Sequence, residues 1–147
     1  MKVLILIAAM GLPVLAEEFH RHHVSALFGA NHGAHTSGVA GGDYLFRFDE
    51  HFGAAFTYEH TGHHLRDGVG VGSFTVHPWK QSWAGAGLGW ETRPGEPTQR
   101  LFRLSGGYAV PLGHGLTLGP DLAADFIGRH RVYVIGVAFG FGFHKVE

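Results

Sequence analysis

Residues 131–143 read Arg131-Val132-Tyr133-Val134-Ile135-Gly136-Val137-Ala138-Phe139-Gly140-Phe141-Gly142-Phe143. Taken every second residue, one face is Tyr133, Ile135, Val137, Phe139, Phe141 and Phe143, and the other is Val132, Val134, Gly136, Ala138, Gly140 and Gly142. Strict period-two alternation is the signature of a strand, because a helix would scatter the rings over its whole surface. The second face carries no charge and no hydrogen-bonding side chain. Turned toward water it would be a long, flat, adhesive surface of the kind soluble sheets avoid. Turned into a narrow barrel it leaves room for long side chains from neighbouring strands, while the aromatic face meets lipid.

The same alternation recurs upstream. Val24, Ala26, Phe28 and Ala30 oppose Ser25, Leu27, Gly29 and Asn31, and Tyr44, Phe46 and Phe48 oppose Asp43, Leu45 and Arg47. A third segment sets Phe52, Ala54, Phe56 and Tyr58 against Gly53, Ala55, Thr57 and Glu59. A fourth, 68–77, breaks phase, with Val69 and Val71 on one side and Phe74 and Val76 on the other, so a bulge is expected within it. A fifth opposes Ala84, Ala86, Leu88 and Trp90 to Gly85, Gly87, Gly89 and Glu91. A sixth opposes Phe102, Leu104, Tyr108 and Val110 to Arg103, Ser105, Gly107 and Ala109. A seventh opposes Leu116, Leu118, Leu122, Ala124 and Phe126 to Thr117, Gly119, Asp121, Ala123 and Asp125, with Pro120 an awkward member that donates no ladder bond.

With the closing segment these make eight strands, each near the 9–11 residues of a tilted membrane strand. The expected architecture is an all-β, eight-stranded antiparallel up-and-down transmembrane barrel over 17–147. Short turns (49–51, 78–82, 111–115) alternate with polar loops (31–36, 60–67, 92–100), as in barrels whose termini share the periplasmic side. Aromatics gather near the strand ends in two sets, matching the two membrane interfaces. One is Tyr58, Trp90, Phe102, Phe126 and Tyr133, and the other is Phe48, Phe52, Trp79, Trp83, Tyr108 and Phe143. A soluble lipocalin-like barrel is the competing architecture, and it would place the large apolar residues inward and charges outward.

The N-terminus, Met1-Lys2 followed by an apolar run to Ala16 and then Glu17-Glu18, reads as a secretory signal peptide over 1–16, cleaved after Ala16 on Sec-type export. The run is too short to span a bilayer. With no cysteine, neither lipoprotein acylation nor a disulfide is available. A net charge of −1 gives no reason to expect nucleic acid.

The signal peptide, eight alternating segments and an aromatic last strand resemble the small outer-membrane barrels of Gram-negative bacteria, the OmpA-domain, OmpX and OmpW group. His22-His23-Val24-Ser25-Ala26-Leu27-Phe28-Gly29-Ala30 and Asp43-Tyr44-Leu45-Phe46-Arg47-Phe48 are similar to openings of barrels in that group. The resemblance implies a monomer in outer-membrane lipid, assembled by the outer-membrane insertion machinery through the last strand. Such strands end their chain at Phe, whereas His144 to Glu147 follow Phe143 here.

The inward faces hold Asp43, Glu59, Glu91, Asp121 and Asp125 against Arg47 and Arg103. Strand direction puts Glu91 and Arg103 beside the same loop with Asp125 on the next strand, so a Glu91–Arg103–Asp125 cluster is expected in the outer half of the lumen. Such a cluster is an ion-pair plug or, alternatively, a gated polar path. The many inward glycines leave either close backbone approach or a cavity for a small apolar ligand. Thirteen histidines include two sets with metal-ligating chemistry, His20, His22 and His23, and His60, His63 and His64. No cofactor is implied. Lipid-modifying barrel enzymes use His with Ser and acidic groups, but His130 has no nearby Ser, Ser105 has no His in its strand, and Ser37 beside His35 lies in a loop, so no catalytic dyad is expected.

Overall fold

The computed structural model describes residues 19–145. The signal peptide expected over 1–16 lies outside them. Nine strand segments follow one another: β1 His20–His32, β2 Thr36–Arg47, β3 Phe52–Thr61, β4 Asp67–Trp79, β5 Ser82–Thr92, β6 Gln99–Tyr108, β7 Val110–Gly113, β8 Leu116–Ile127 and β9 His130–Lys145. They pair antiparallel with their sequence neighbours, except that β6 and β7 do not pair with each other. β9 closes onto β1, and β8 pairs with both β9 and β6. β6 and β7 are two halves of one stave, since Gly107 faces Asp121 and Val110 faces Leu118 in the same register. The closed wall therefore has eight staves, an antiparallel up-and-down barrel.

The interruption at Ala109 has a local cause. It lies opposite Gly119 and Pro120, where the missing proline N–H removes a ladder bond. The Ala109 amide points to the other side of the stave, where it donates to the Gln81 carbonyl, 2.7 Å away, and continues the β5–β6 register. Pro120 thus needs no bulge, and β8 runs in unbroken register along β9.

The stagger of the wall follows from the ladder partners. Starting at Arg103, they are Gly87, Ser73, Ala55, Leu45, His23 and Gly142, whose amide meets the Gly115 carbonyl on the border of β8. Arg103 itself faces Asp125 on β8, so one circuit shifts the register by ten residues (125 minus 115). Eight staves with that shear tilt by about 41° and give a backbone radius of about 8 Å, using ~3.3 Å per residue and ~4.8 Å between strands.

The exterior is apolar. Phe28 is 62% exposed and Leu88 72%, and Phe56, Phe74, Leu122, Ile135, Val137 and Phe139 all face outward. The hydrophobic side chains that are buried, Leu27, Val39, Val69, Val71, Leu101, Ala123, Ile127 and Val134, point into the lumen and are fewer. A lipocalin-like barrel would show the reverse distribution. Tyr58, Trp90, Phe102 and Tyr133 are exposed near one end, and Phe48, Phe52, Trp79 and Tyr108 near the other.

Three local expectations change. β4 keeps one phase from Val69 to Val76: Val69 and Val71 are buried in the lumen while Phe74 and Val76 face out, and the register shift falls later, between Val76 and Trp79. The broken pattern had two apolar pairs on opposite faces, with no inserted residue. Trp83 does not join the lipid-facing aromatic set of Phe48, Phe52, Trp79 and Tyr108. It shares the inward phase of Gly85 and Gly87 and lines the lumen mouth, filling the space beside Gly107. The loops opposite the termini are shorter than their polar composition suggested, because β1 and β2 extend to His32 and from Thr36, and β6 begins at Gln99.

Candidate functional site

The lumen is blocked in its outer half, toward the end opposite the termini, by one ion-pair cluster. Arg103 on β6 faces Asp125 on the adjoining β8, and its Nε and Nη2 donate to the two carboxylate oxygens at 2.6 and 2.7 Å. On its other side Nη1 and Nη2 donate to both oxygens of Glu59, at 2.6 and 2.7 Å. Both contacts are two-pronged, the geometry that the planar guanidinium fork favours. Arg103 and Asp125 are 3% exposed and Glu59 1%.

The expected pairing of Arg103 with Asp125 is present, but its third member is Glu59 and not Glu91. The stagger explains this. Levels shift by about 1.25 residues per stave, so three staves from β6 the residue level with Arg103 lies about four beyond its ladder neighbour Ala55, which is Glu59. On the adjoining β5 the correction is about one residue, so the level position is near Leu88 and Glu91 sits nearer the rim. There Glu91, 6% exposed, accepts from Arg93 at 3.1 Å, and Arg93 also reaches Asp67 at 3.8 Å and Glu96 at 4.0 Å. Three carboxylates brace a single loop arginine, while the second oxygen of Glu91 has no hydrogen-bond partner.

Beyond the plug, toward the end opposite the termini, Val69, Val71, Leu101 and Ile127 form an apolar collar with Val132 against it. On the other side of the lumen Leu27, Val39, Ala123 and Val134 pack together with Ala138. Below the plug a cavity of about 500 Å³ reaches toward the end that carries the termini. Asp43, Asp121 and Arg47 belong to this vestibule and not to the cluster. Asp43 accepts from Ser25 Oγ, and Arg47 donates to the Glu50 carbonyl and lies 4.8 Å from the Phe19 ring. Neither Asp43 nor Asp121 is paired with an arginine or lysine among the described residues.

The histidine sets do not converge. His23 turns inward and shares a hydrogen with Thr117 Oγ1 at 3.0 Å, and His20 lines the vestibule beside Gly142. His22 points outward, bonded to the Tyr44 hydroxyl at 2.6 Å and stacked on Phe143 at 5.2 Å. His60 packs edge-on to Tyr58 at the barrel surface, whereas His63 and His64 pair edge-to-face in the 3₁₀ turn that follows β3. Among the described residues no three His, Asp or Glu side chains come together as a metal set. The signal for His22 was available in the sequence, since consecutive strand residues point to opposite faces.

No family model and no curated protein matches the chain. Solved structures do match, by shape. The N-terminal β-barrel domain of Pseudomonas aeruginosa OprF superposes with a TM-score of 0.65 at 11% identity, covering 85% of this chain and 100% of that one. Neisserial surface protein A gives 0.62 at 10% identity over 83% and 96%, and a designed transmembrane β-barrel gives 0.55 at 10% over 84% and 99%. At such identities the likeness concerns the fold. The chain has the fold of the small eight-stranded outer-membrane β-barrels.

Proposed function

We propose that the protein is a resident of the bacterial outer membrane, a structural barrel whose lumen is sealed in its outer half and whose vestibule opens toward the periplasm. The observation that carries this is the plug. Arg103, Glu59 and Asp125 are at most 3% exposed, and the apolar collar lies directly beyond them. An eight-stave wall has little interior to spare, and at the level of the plug this one fills it with side chains. The outward face, dominated by exposed Phe, Leu, Ile and Val, supports lipid as its surroundings. The vestibule mixes carboxylates, hydroxyls and imidazoles with apolar side chains such as Leu45, Trp83 and Leu116, and it ends at the plug, so the plug is what weighs against a passage. The resemblance to outer-membrane barrels supports a monomer inserted through β9.

Two measurements test this reading. Folded protein is expected to migrate differently on a gel with and without boiling and to fractionate with outer membranes; recovery in a soluble periplasmic fraction overturns membrane residence. Wild type and Arg103→Ala reconstituted in planar bilayers are both expected to conduct negligibly, because the collar remains when the plug is removed. A steady conductance of the wild type overturns the sealed lumen.

A further inference from the structure

We infer that the rim of the wall built by β6, β8 and β9, at the end opposite the termini, binds the phosphate of an anionic membrane lipid through Arg100, Arg129 and Arg131. The inference rests on the membrane reading above and adds a site and a headgroup chemistry to it.

The argument starts from charge. Every acidic side chain at that end is already engaged: Asp67, Glu91 and Glu96 by Arg93, and Glu59 and Asp125 by Arg103. Arg100, Arg129 and Arg131 are exposed and meet no carboxylate among the described residues. The other described acids, Asp43, Asp121, Asp49 and Glu50, lie in the vestibule or in the turn after β2. At the far rim Arg66, Arg93, Arg100, Arg129 and Arg131 stand against Asp67, Glu91 and Glu96, a surplus of two positive charges (five minus three), and every Lys or Arg there is an arginine, the side chain whose fork matches a phosphate.

Position supplies the second part. Arg131 is the ladder partner of Phe126, and its guanidinium carbon lies 5.8 Å from that ring. Extending the Phe102–Phe126 register by two residues sets Arg100 opposite Gly128, next to Arg129 in the turn between β8 and β9. Arg100 shares the outward face of exposed Phe102 and Leu104, and Arg131 that of Tyr133 and Ile135. The three arginines thus crown one apolar strip of wall, floored by the Phe102–Phe126 ring pair at 6.1 Å. A lipid lying along that strip puts acyl chains on Phe102, Leu104 and Ile135 and its phosphate at the arginines. A soluble phosphate would gain nothing from the strip.

The test uses protein folded in detergent and titrated with dihexanoyl phosphatidic acid or dihexanoyl phosphatidylcholine, with bound lipid counted by native mass spectrometry. Wild type is expected to prefer the phosphatidic acid by about tenfold or more. An Arg100→Gln, Arg129→Gln, Arg131→Gln triple variant is expected to lose the preference to within about twofold, and Arg129→Gln alone, in a turn with no ladder bond to lose, part of it. Arg21→Gln with Lys80→Gln, which removes cations toward the other end, is expected to keep it. No preference in wild type, a preference retained by the triple variant, or equal loss in the Arg21/Lys80 control overturns the site. Displacement of the phosphatidic acid by equimolar inorganic phosphate also overturns it, since the ligand would then be a soluble phosphate. The membrane reading fails separately, if the barrel does not insert into phosphatidylcholine vesicles at all.

Discussion

Replacing Arg103 with methionine removes the only cation in the plug and leaves two carboxylates buried against each other. Four contacts at 2.6–2.7 Å are lost. Summed at ~1.5–3 kcal/mol per charged hydrogen bond they would suggest ~6–12 kcal/mol, an overestimate, because folding also strips water from the guanidinium. Breaking a buried pair from one side costs about 3–5 kcal/mol. With two orphaned carboxylates, each at most 3% exposed, the expected loss lies at the upper end, about 5 kcal/mol. The assay is urea unfolding of the barrel in phosphatidylcholine vesicles, followed by tryptophan fluorescence and by the unboiled gel band. A companion variant, Arg103→Met with Glu59→Leu and Asp125→Leu, carries no charge at that level. It is expected to recover to within about 2 kcal/mol of wild type. A loss below about 1 kcal/mol in the single variant would refute the claim that the plug is a dry, balanced ion cluster. A triple variant as unstable as the single would show that wall geometry, and not charge balance, is what the arginine supplies.

Other outcomes follow from the same geometry. Glu59→Gln is expected to cost about 3–5 kcal/mol, whereas Glu91→Gln costs ~0–1 kcal/mol because its arginine is 42% exposed and one carboxylate oxygen is already unpartnered; the same unfolding assay ranks them, and equal losses would contradict the placement of Glu91 outside the plug. Gly89→Ala puts a methyl 2.9 Å from the Val71 Cα and against the Gly70 carbonyl, so about 1–3 kcal/mol and a lower folding yield are expected on the unboiled gel. At the turn after β2 the Asp49 carboxylate accepts the amides of His51 at 2.7 Å and Phe52 at 2.8 Å, which hold its pKa below the usual 3.8. The contribution of this turn is present above the unfolded pKa and fades as pH falls through the lower folded one. Asp49→Ala should therefore unfold at lower urea than wild type near neutrality and converge with it in acid; a difference that persists at the most acidic pH would contradict the assignment.

The strands were legible in the sequence wherever large and small residues alternate, as in β5 and β9, because on those staves most lumen-facing positions are small. The first half of β2 was not legible. Its outward positions, Gly38, Ala40 and Gly42, lack the rings that mark a lipid face, so Asn31–Thr36 read as a longer loop. The Arg103–Asp125 pair could be found from chain direction because the two residues sit on adjoining staves. Glu59 could not, because its level relative to Arg103 depends on the shear of the whole closed wall, a property that no local stretch encodes. Trp83 was recoverable in principle, since its phase with Gly85 and Gly87 overrides its place near a strand end.

Those same phases account for the inward-facing glycines of the strands. Across the ladder, large inward side chains repeatedly face a glycine. Arg103 and Ser73 face Gly87, Glu59 and Leu27 face Gly41, Arg47 faces Gly53, and Val71 faces Gly89. Asp121 faces Gly136, His23 faces Gly142 and Trp83 faces Gly107. At Gly41 a Cβ would stand 2.8 Å from the Glu59 Cγ, and at Gly107 one would stand 2.7 Å from the Trp83 Nε1. The directly opposed position in an antiparallel pair is the nearest on the same face, so it is the one that must shrink when its partner is long. Glycine costs strand stability, and a wall of about 8 Å radius has no other way to admit an arginine and its two carboxylates at one level. The glycines and the plug are thus one feature. Closing a narrow barrel around charged side chains forces the backbone opposite them to go bare, and the quiet face of the last strand, Val132 to Gly142, shows the same requirement.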